Sequence, residues 1–131
     1  MARRKVLRHL FRFEGFWQSV GVATVGIIYL FRYHRNMRIM FMMGVASFLA
    51  GLLLRLNAIE LVALCITITV VFIAEIFNTA IEILMNILTT RYHLKIKLVK
   101  DIAAAVALLA CLNAIAVGYI LFARKICQGL N

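Results

Sequence analysis

The chain has no proline and only five acidic residues in 131. Without proline, none of its helices need be broken by a missing amide donor or a ring clash. Its three cysteines, Cys65, Cys111 and Cys127, lie far apart without metal-ligand spacing. Two of them fall in apolar runs, where a thiol behaves as a small buried hydrophobe, so neither a disulfide framework nor a zinc module is expected. The phosphate and metal devices of soluble enzymes are missing as well: there is no G-x-x-x-x-G-K-[ST] loop, no G-x-G-x-x-G and no H-E-x-x-H. The basic N-terminal cluster is not followed by an A-x-A-like cleavage site after a short apolar core, so no removable signal peptide is expected. Most telling is the segment between Arg55 and Arg91, which holds no lysine or arginine.

What fills the chain instead is hydrocarbon. Hydrophobic residues make up 65% of it, and its mean hydropathy is +0.98, far from an ordinary soluble domain. The formal net charge is +10. With no recognition module and no soluble basic face, that charge points away from nucleic acid and toward anionic headgroups and the cytoplasmic side of a membrane.

Three weakly charged stretches are long enough to cross a bilayer. We read transmembrane helices over residues 37–55, 58–90 and 98–123, the middle one longer than a bilayer needs. With the N-terminus inside, twelve of the 15 basic residues lie on the cytoplasmic side, and only Arg55, Arg124 and Lys125 lie outside. A spanning helix over 15–31 would place Arg32, Arg35 and Arg38 outside, against that rule. Residues 1–34 therefore read as an amphipathic helix lying in the interface. The expected fold is an all-α membrane protein in one integral-membrane domain: an N-terminal amphipathic surface helix plus three transmembrane helices per subunit. Trp17, Tyr29 and Tyr33 read as headgroup-level anchors, and Asn113 as an interhelical hydrogen bond.

Inside the middle span lie Glu75, Asn78, Glu82 and Asn86, spaced i, i+3, i+7, i+11 on one face of a helix. A carboxylate in a hydrophobic span costs roughly 2.5–3.5 kcal/mol, so such a stripe marks function by default. Glu82 lies nine residues before Arg91, about 13 Å below that end at ~1.5 Å per residue, and Glu75 is about two turns deeper. Lys100 and Asp101 open the third span at the level of Asn86. The polar groups therefore gather at the inner leaflet, where a water-soluble substrate could meet a membrane-embedded one. Acidic groups there can hold Mg²⁺ or accept a hydroxyl proton, and lysines can neutralise phosphate. The structural alternative is that the glutamates are protonated or act as interhelical glue.

The segment Glu75-Ile-Phe-Asn-Thr-Ala-Ile-Glu82, followed by Arg91-Tyr-His93 and Lys100-Asp-Ile-Ala-Ala-Ala105, resembles the signature of the small bacterial membrane lipid kinases. These are the prokaryotic diacylglycerol kinases and undecaprenol kinases. Arg35-Asn-Met-Arg-Ile39 looks more like the undecaprenol-kinase branch. The similarity runs from about Gly26 to Phe122. The resemblance implies a homotrimer in the bacterial cytoplasmic membrane, N-terminus cytoplasmic, with active sites shared between subunits. It implies transfer of the ATP γ-phosphate to the hydroxyl of a lipid alcohol. By position, Glu75 would be the general base and Asn78 would hold the constellation. Glu82 would bind Mg²⁺ (or Mn²⁺), Lys100 and Asp101 would contact the nucleotide, and Tyr92 and His93 would lie beside the adenosine.

The chain departs from that pattern at several positions. His34 stands where the family has a second metal-binding glutamate, Asn86 where it has an aspartate, and Arg91 where an acidic residue precedes Tyr-His. A family arginine aligns with Gly15, with Arg12 one turn away. A lone glutamate binds Mg²⁺ weakly, so ATP phosphates would supply more of the coordination. Three roles are open to His34: a metal ligand beside Glu82, a phosphate contact as imidazolium, or an interfacial histidine. The runner-up reading is a catalytically weakened or inactive pseudokinase serving as an oligomeric membrane scaffold. A channel or transporter subunit is the third, and it lacks a continuous polar path.

Overall fold

The computed structural model describes residues 15–88 and 94–129, and these are almost entirely helical. Four helices follow in order: α1 (Phe16–Tyr33), α2 (Arg35–Leu53), α3 (Ala58–Leu88) and α4 (Leu94–Gly129). Of these, α2, α3 and α4 are long and apolar enough to cross a membrane. The described residues fall into two compact units, one ending at His34 and one beginning at Arg35.

In the first unit, α1 starts at Gly15, whose carbonyl accepts from the amides of Gln18 and Ser19, and ends where the His34 amide donates to the Leu30 carbonyl. None of its residues is buried within the subunit. The Tyr29 and Tyr33 rings sit 4.8 Å apart between centroids. Residues 1–14, the first part of the expected surface helix, lie outside the described residues.

In the second unit, α3 packs against α2 and, more extensively, against α4. The hairpin between α2 and α3 differs from the expectation of a helix through Arg55. The helix stops at Leu53 because Arg55 adopts a left-handed backbone, φ 52°. The Arg55 amide then bonds to the Leu52 carbonyl at 3.1 Å and the Leu56 amide to the Gly51 carbonyl at 3.0 Å. That pair of bonds is a Schellman ending, which satisfies the last carbonyls of α2. Two residues after Arg55, Asn57 forms a reciprocal capping box with Glu60: the Asn57 amide donates to Glu60 Oε2 and the Glu60 amide to Asn57 Oδ1, each at 2.9 Å. Gly51 is buried at this corner, and a Cβ there would meet Leu64 at 2.9 Å and Leu56 at 3.0 Å. The absence of a side chain is what lets the two helices close.

Small residues also line the remaining contacts. A Cβ at Gly44 would lie 3.1 Å from Ile68, and Ala103, Ala107 and Ala110 form a buried stripe along α4. In lipid, where hydrophobicity does not drive helices together, such close approach is the main source of association. Thr67 and Thr69 return their hydroxyls to the carbonyls of Ala63 and Cys65, so neither is an unpaired donor in the apolar span.

The ends of α3 and α4 are tied by polar side chains. Glu60 and Lys125 form an ion pair at 3.2 Å, and Lys100 Nζ donates to Asn86 Oδ1 at 2.6 Å. From Glu60 to Asn86 the helix rises about 39 Å at ~1.5 Å per residue, more than the ~30 Å hydrocarbon thickness. Both ties therefore fall toward the edges of a bilayer. The third expected span, α4, reaches further than 98–123, beginning at Leu94 and running to Gly129. No proline interrupts it, so Lys95, Lys97 and Lys100 belong to the same helix as the apolar span.

Candidate active site on the α3 stripe

The stripe forms on α3 as its spacing requires, and burial changes along it. Glu75 is buried at 5% exposure, with Thr79 beside it at 4%. Asn78 is half-buried, while Glu82 and Asn86 are exposed. The reason lies in the lengths of the helices. α2 has 19 residues and α3 has 31, so beyond Glu75 α3 outruns α2, and among the described helices of this unit α4 is the one that remains alongside.

Asn36, at the start of α2, donates its side-chain amide to Glu75 Oε1. Counted from the hairpin, Asn36 lies 17 residues before Leu53 and Glu75 lies 17 residues after Ala58. Equal rise along two antiparallel helices brings the two side chains level. A buried carboxylate without such a donor would carry the full cost of desolvation. Asn36 was present in the sequence within Arg35–Ile39, but its role was not legible until the turn fixed the register.

Lys100 is half-buried on α4 and Asp101 is exposed next to it. Lys100 reaches Asn86, so the structure brings two polar positions of the proposed site together across α3 and α4. Tyr92 and His93, assigned to the adenosine, lie outside the described residues, as does Arg91. His34 belongs to the first unit, where its ring lies 6.0 Å from that of Tyr29.

Just beyond the Asn36–Glu75 pair, toward the hairpin, a cleft of about 390 Å³ opens between α2, α3 and α4. Met40, Gly44, Phe72, Cys111 and Tyr119 are among its lining residues, and its walls are predominantly apolar. Met37, one turn before Met40 on α2, is the most completely buried large side chain of the described residues. Asn113 is exposed on α4 and forms no side-chain hydrogen bond to the other described residues of its own subunit.

This arrangement is accompanied by similarity over most of the chain. Residues 21–122 match the family described as prokaryotic diacylglycerol kinase. The chain belongs to that family. It is similar to a diacylglycerol kinase of Synechocystis sp., 40% identical over 101 residues that cover 76% of this chain and 58% of that protein. It is also similar to an undecaprenol kinase of Bacillus subtilis, 32% identical over 112 residues that cover 85% of this chain and 90% of that protein. The chain thus spans little more than half the length of the Synechocystis relative. Every position from His34 to Asp101 named above lies inside the matched segment.

Among the described residues, no three His, Cys, Asp or Glu side chains converge as a closed metal cage. That is compatible with Mg²⁺, which is bound in phosphoryl-transfer sites by one or two carboxylates together with substrate phosphates and water. Glu82, to which the family resemblance assigns that role, is exposed beyond the end of α2.

Proposed function

We propose that the chain is a membrane lipid kinase that transfers the γ-phosphate of ATP to the hydroxyl of a lipid alcohol, a diacylglycerol or undecaprenol, at the cytoplasmic face. The observation that carries this reading is the buried Glu75 carboxylate between an apolar cleft on one side and the Lys100–Asn86 pair on the other. A lipid alcohol has the matching order of parts: hydrocarbon in the cleft, hydroxyl at Glu75, and the incoming phosphate toward the helix ends.

On this reading Glu75 accepts the hydroxyl proton as the lipid oxygen bonds to the γ-phosphorus. The bond from that phosphorus to the bridging oxygen breaks, and ADP leaves. Asn78, one turn along the same face, holds the hydroxyl and carboxylate in register. Lys100 neutralises phosphate charge, and Asp101, Tyr92 and His93 bind the rest of the nucleotide. Glu82 would hold Mg²⁺, which when bound would supply charge neutralisation to the transferring phosphate. Positioning and electrostatics carry most of the acceleration in such a reaction, and a well-aligned acceptor supplies the remainder.

A homotrimer with sites shared between subunits fits the exposure of Glu82 and of long apolar faces in one subunit. Leu53 and Ile59 are more than four-fifths exposed, and Tyr119 is nearly as open. Such surface is tolerable only against lipid or another copy. The charge bias supports a cytoplasmic N-terminus and a cytoplasmic link between α3 and α4, with α1 at the membrane surface, and the family supports a bacterial membrane.

The test is incubation of membranes containing the protein with labelled ATP, Mg²⁺ or Mn²⁺, and a panel of lipid alcohols, beside a Glu82→Gln control. Label on one lipid, lost in the control, is the expected result. No transfer to any lipid, by a protein shown to be folded and oligomeric, would overturn the reading.

A further inference from the structure

We infer that Asn36 is a positioning residue for the reaction, acting through Glu75, and that the α2–α3 hairpin exists in its present register to bring the two together. The inference rests on the kinase reading above. Three observations carry it. Glu75 is the buried acidic side chain of the described residues, and Asn36 donates to one of its two oxygens. The two residues stand at equal distances from a hairpin whose both halves are locked, by the Schellman ending at Arg55 and the capping box at Asn57 and Glu60. The cleft begins one turn further along both helices, at Met40 and Phe72.

The consequence for chemistry is geometric. A glutamate side chain has three torsions, and an unheld carboxylate at the end of a cleft would sample several orientations. With Oε1 engaged by the Asn36 amide, the carboxylate plane is fixed and the second oxygen is the one presented to a hydroxyl. A base must lie within hydrogen-bond reach of its proton at the moment of transfer, and a displacement of about 1 Å costs on the order of 100-fold in rate. An amide suits the task because it donates without carrying charge. A lysine or arginine in its place would form an ion pair with the carboxylate and weaken it as a proton acceptor. Asn36 sits in the first turn of α2, so the donor is carried by a rigid helix rather than by a loop.

Asn36→Asp is the primary variant. It is isosteric, it favours a helix N-terminus, and it replaces the donor by a second acceptor facing Glu75. Asn36→Leu removes the donor without adding a carboxyl group, and Asn36→Gln keeps it. All three are compared with wild type in lipid vesicles, measuring kcat, the KM for ATP and the KM for the lipid. In parallel, the infrared carboxyl band that disappears in Glu75→Gln is followed in Asn36→Leu. The expected result is a fall in kcat of about 10- to 100-fold for Asn36→Asp and Asn36→Leu, with the KM for ATP within about twofold. Asn36→Gln recovers part of the rate, and the Glu75 band shifts in Asn36→Leu. A kcat within twofold of wild type in Asn36→Asp, or an unmoved band, would overturn the inference. So would a parallel rise in the KM for ATP with no recovery in Asn36→Gln, which is the signature of general disruption. A wild-type protein without any transferase activity whose Glu75 band still shifts in Asn36→Leu would overturn the kinase reading and leave the pairing standing.

Discussion

Lys100 reaches across from α4 to Asn86 on α3, Nζ to Oδ1 at 2.6 Å, so a cation near the end of the bundle is held in place by a neutral acceptor. A carboxylate at 86 would have neutralised it. An amide orients the ammonium and leaves its full charge for an incoming anion, which is the property a phosphate-binding lysine needs.

Lys100→Met should therefore lower kcat/KM for ATP by roughly 100-fold or more, the usual cost of removing one charged donor from developing phosphate charge. Lys100→Arg should recover only part of it, because the planar guanidinium cannot occupy the position of a compact ammonium. Lys100 is only half-buried, so oligomeric state on size exclusion should not change. Steady-state assays at varied ATP check the claim, and equal activity in Lys100→Met would remove Lys100 from the site.

The hairpin corner carries a strain that can be relieved. Arg55 holds φ 52° without being glycine, a conformation that costs L-residues about 1–2 kcal/mol. Glycine removes that strain but adds about 0.5–1 kcal/mol of unfolded-state entropy. Arg55→Gly should thus stabilise by about 0.5–1 kcal/mol, whereas Arg55→Ala, which keeps a Cβ at positive φ, should not. Thermal unfolding in detergent distinguishes the two. A lower Tm for Arg55→Gly would mean that the side chain itself is needed at this corner.

Much of this architecture is legible from residue order. The spacing of Glu75, Asn78, Glu82 and Asn86 specifies one helix face before any coordinates exist, and the charge-free runs around it specify the apolar helices. The end of α2 is less legible. Left-handed turns usually advertise themselves with glycine or asparagine, and here the residue is Arg55, so the helix reads two residues too long. The start of α4 is hidden for the opposite reason: Lys95 and Lys97 look like an interfacial loop, yet nothing in Leu94–Lys100 opposes a helix. Asn36 was hidden because its meaning is relational. Only when the hairpin is closed at Asn57 does a residue 39 positions away come level with Glu75.

The capping box at the start of α3 should behave as a coupled unit. Asn57→Ala removes one side-chain acceptor and should cost about 1 kcal/mol. Glu60→Ala removes the reciprocal acceptor and also the Lys125 ion pair, whose side chains are 20% and 11% exposed. Each bond fixes the geometry the other needs, so the double variant should cost at least about 0.5 kcal/mol less than the sum of the singles. Unfolding measured for all four proteins in one detergent tests this. Strict additivity would show that the two bonds form independently.

Orientation can be read with the chain's own thiols. Cys65, Cys111 and Cys127 are all free, with Cys127 exposed near the end of α4. It lies two residues beyond Lys125, which pairs with Glu60 at the hairpin end of the bundle. Cys65, exposed on the subunit, and Cys111, half-buried, lie within the apolar spans of α3 and α4, where bilayer hydrocarbon would keep a charged reagent out. If the N-terminus is cytoplasmic, as twelve of the 15 basic residues favour, the hairpin end faces outward. A membrane-impermeant maleimide applied to intact cells, with the outer envelope made permeable, should then label one site, and Cys127→Ser should abolish the signal. Labelling of Cys127 only after the cytoplasmic membrane is opened would reverse the orientation. It would also put the Glu75 site on the side away from ATP, so this result and the kinase assay must agree for either to stand.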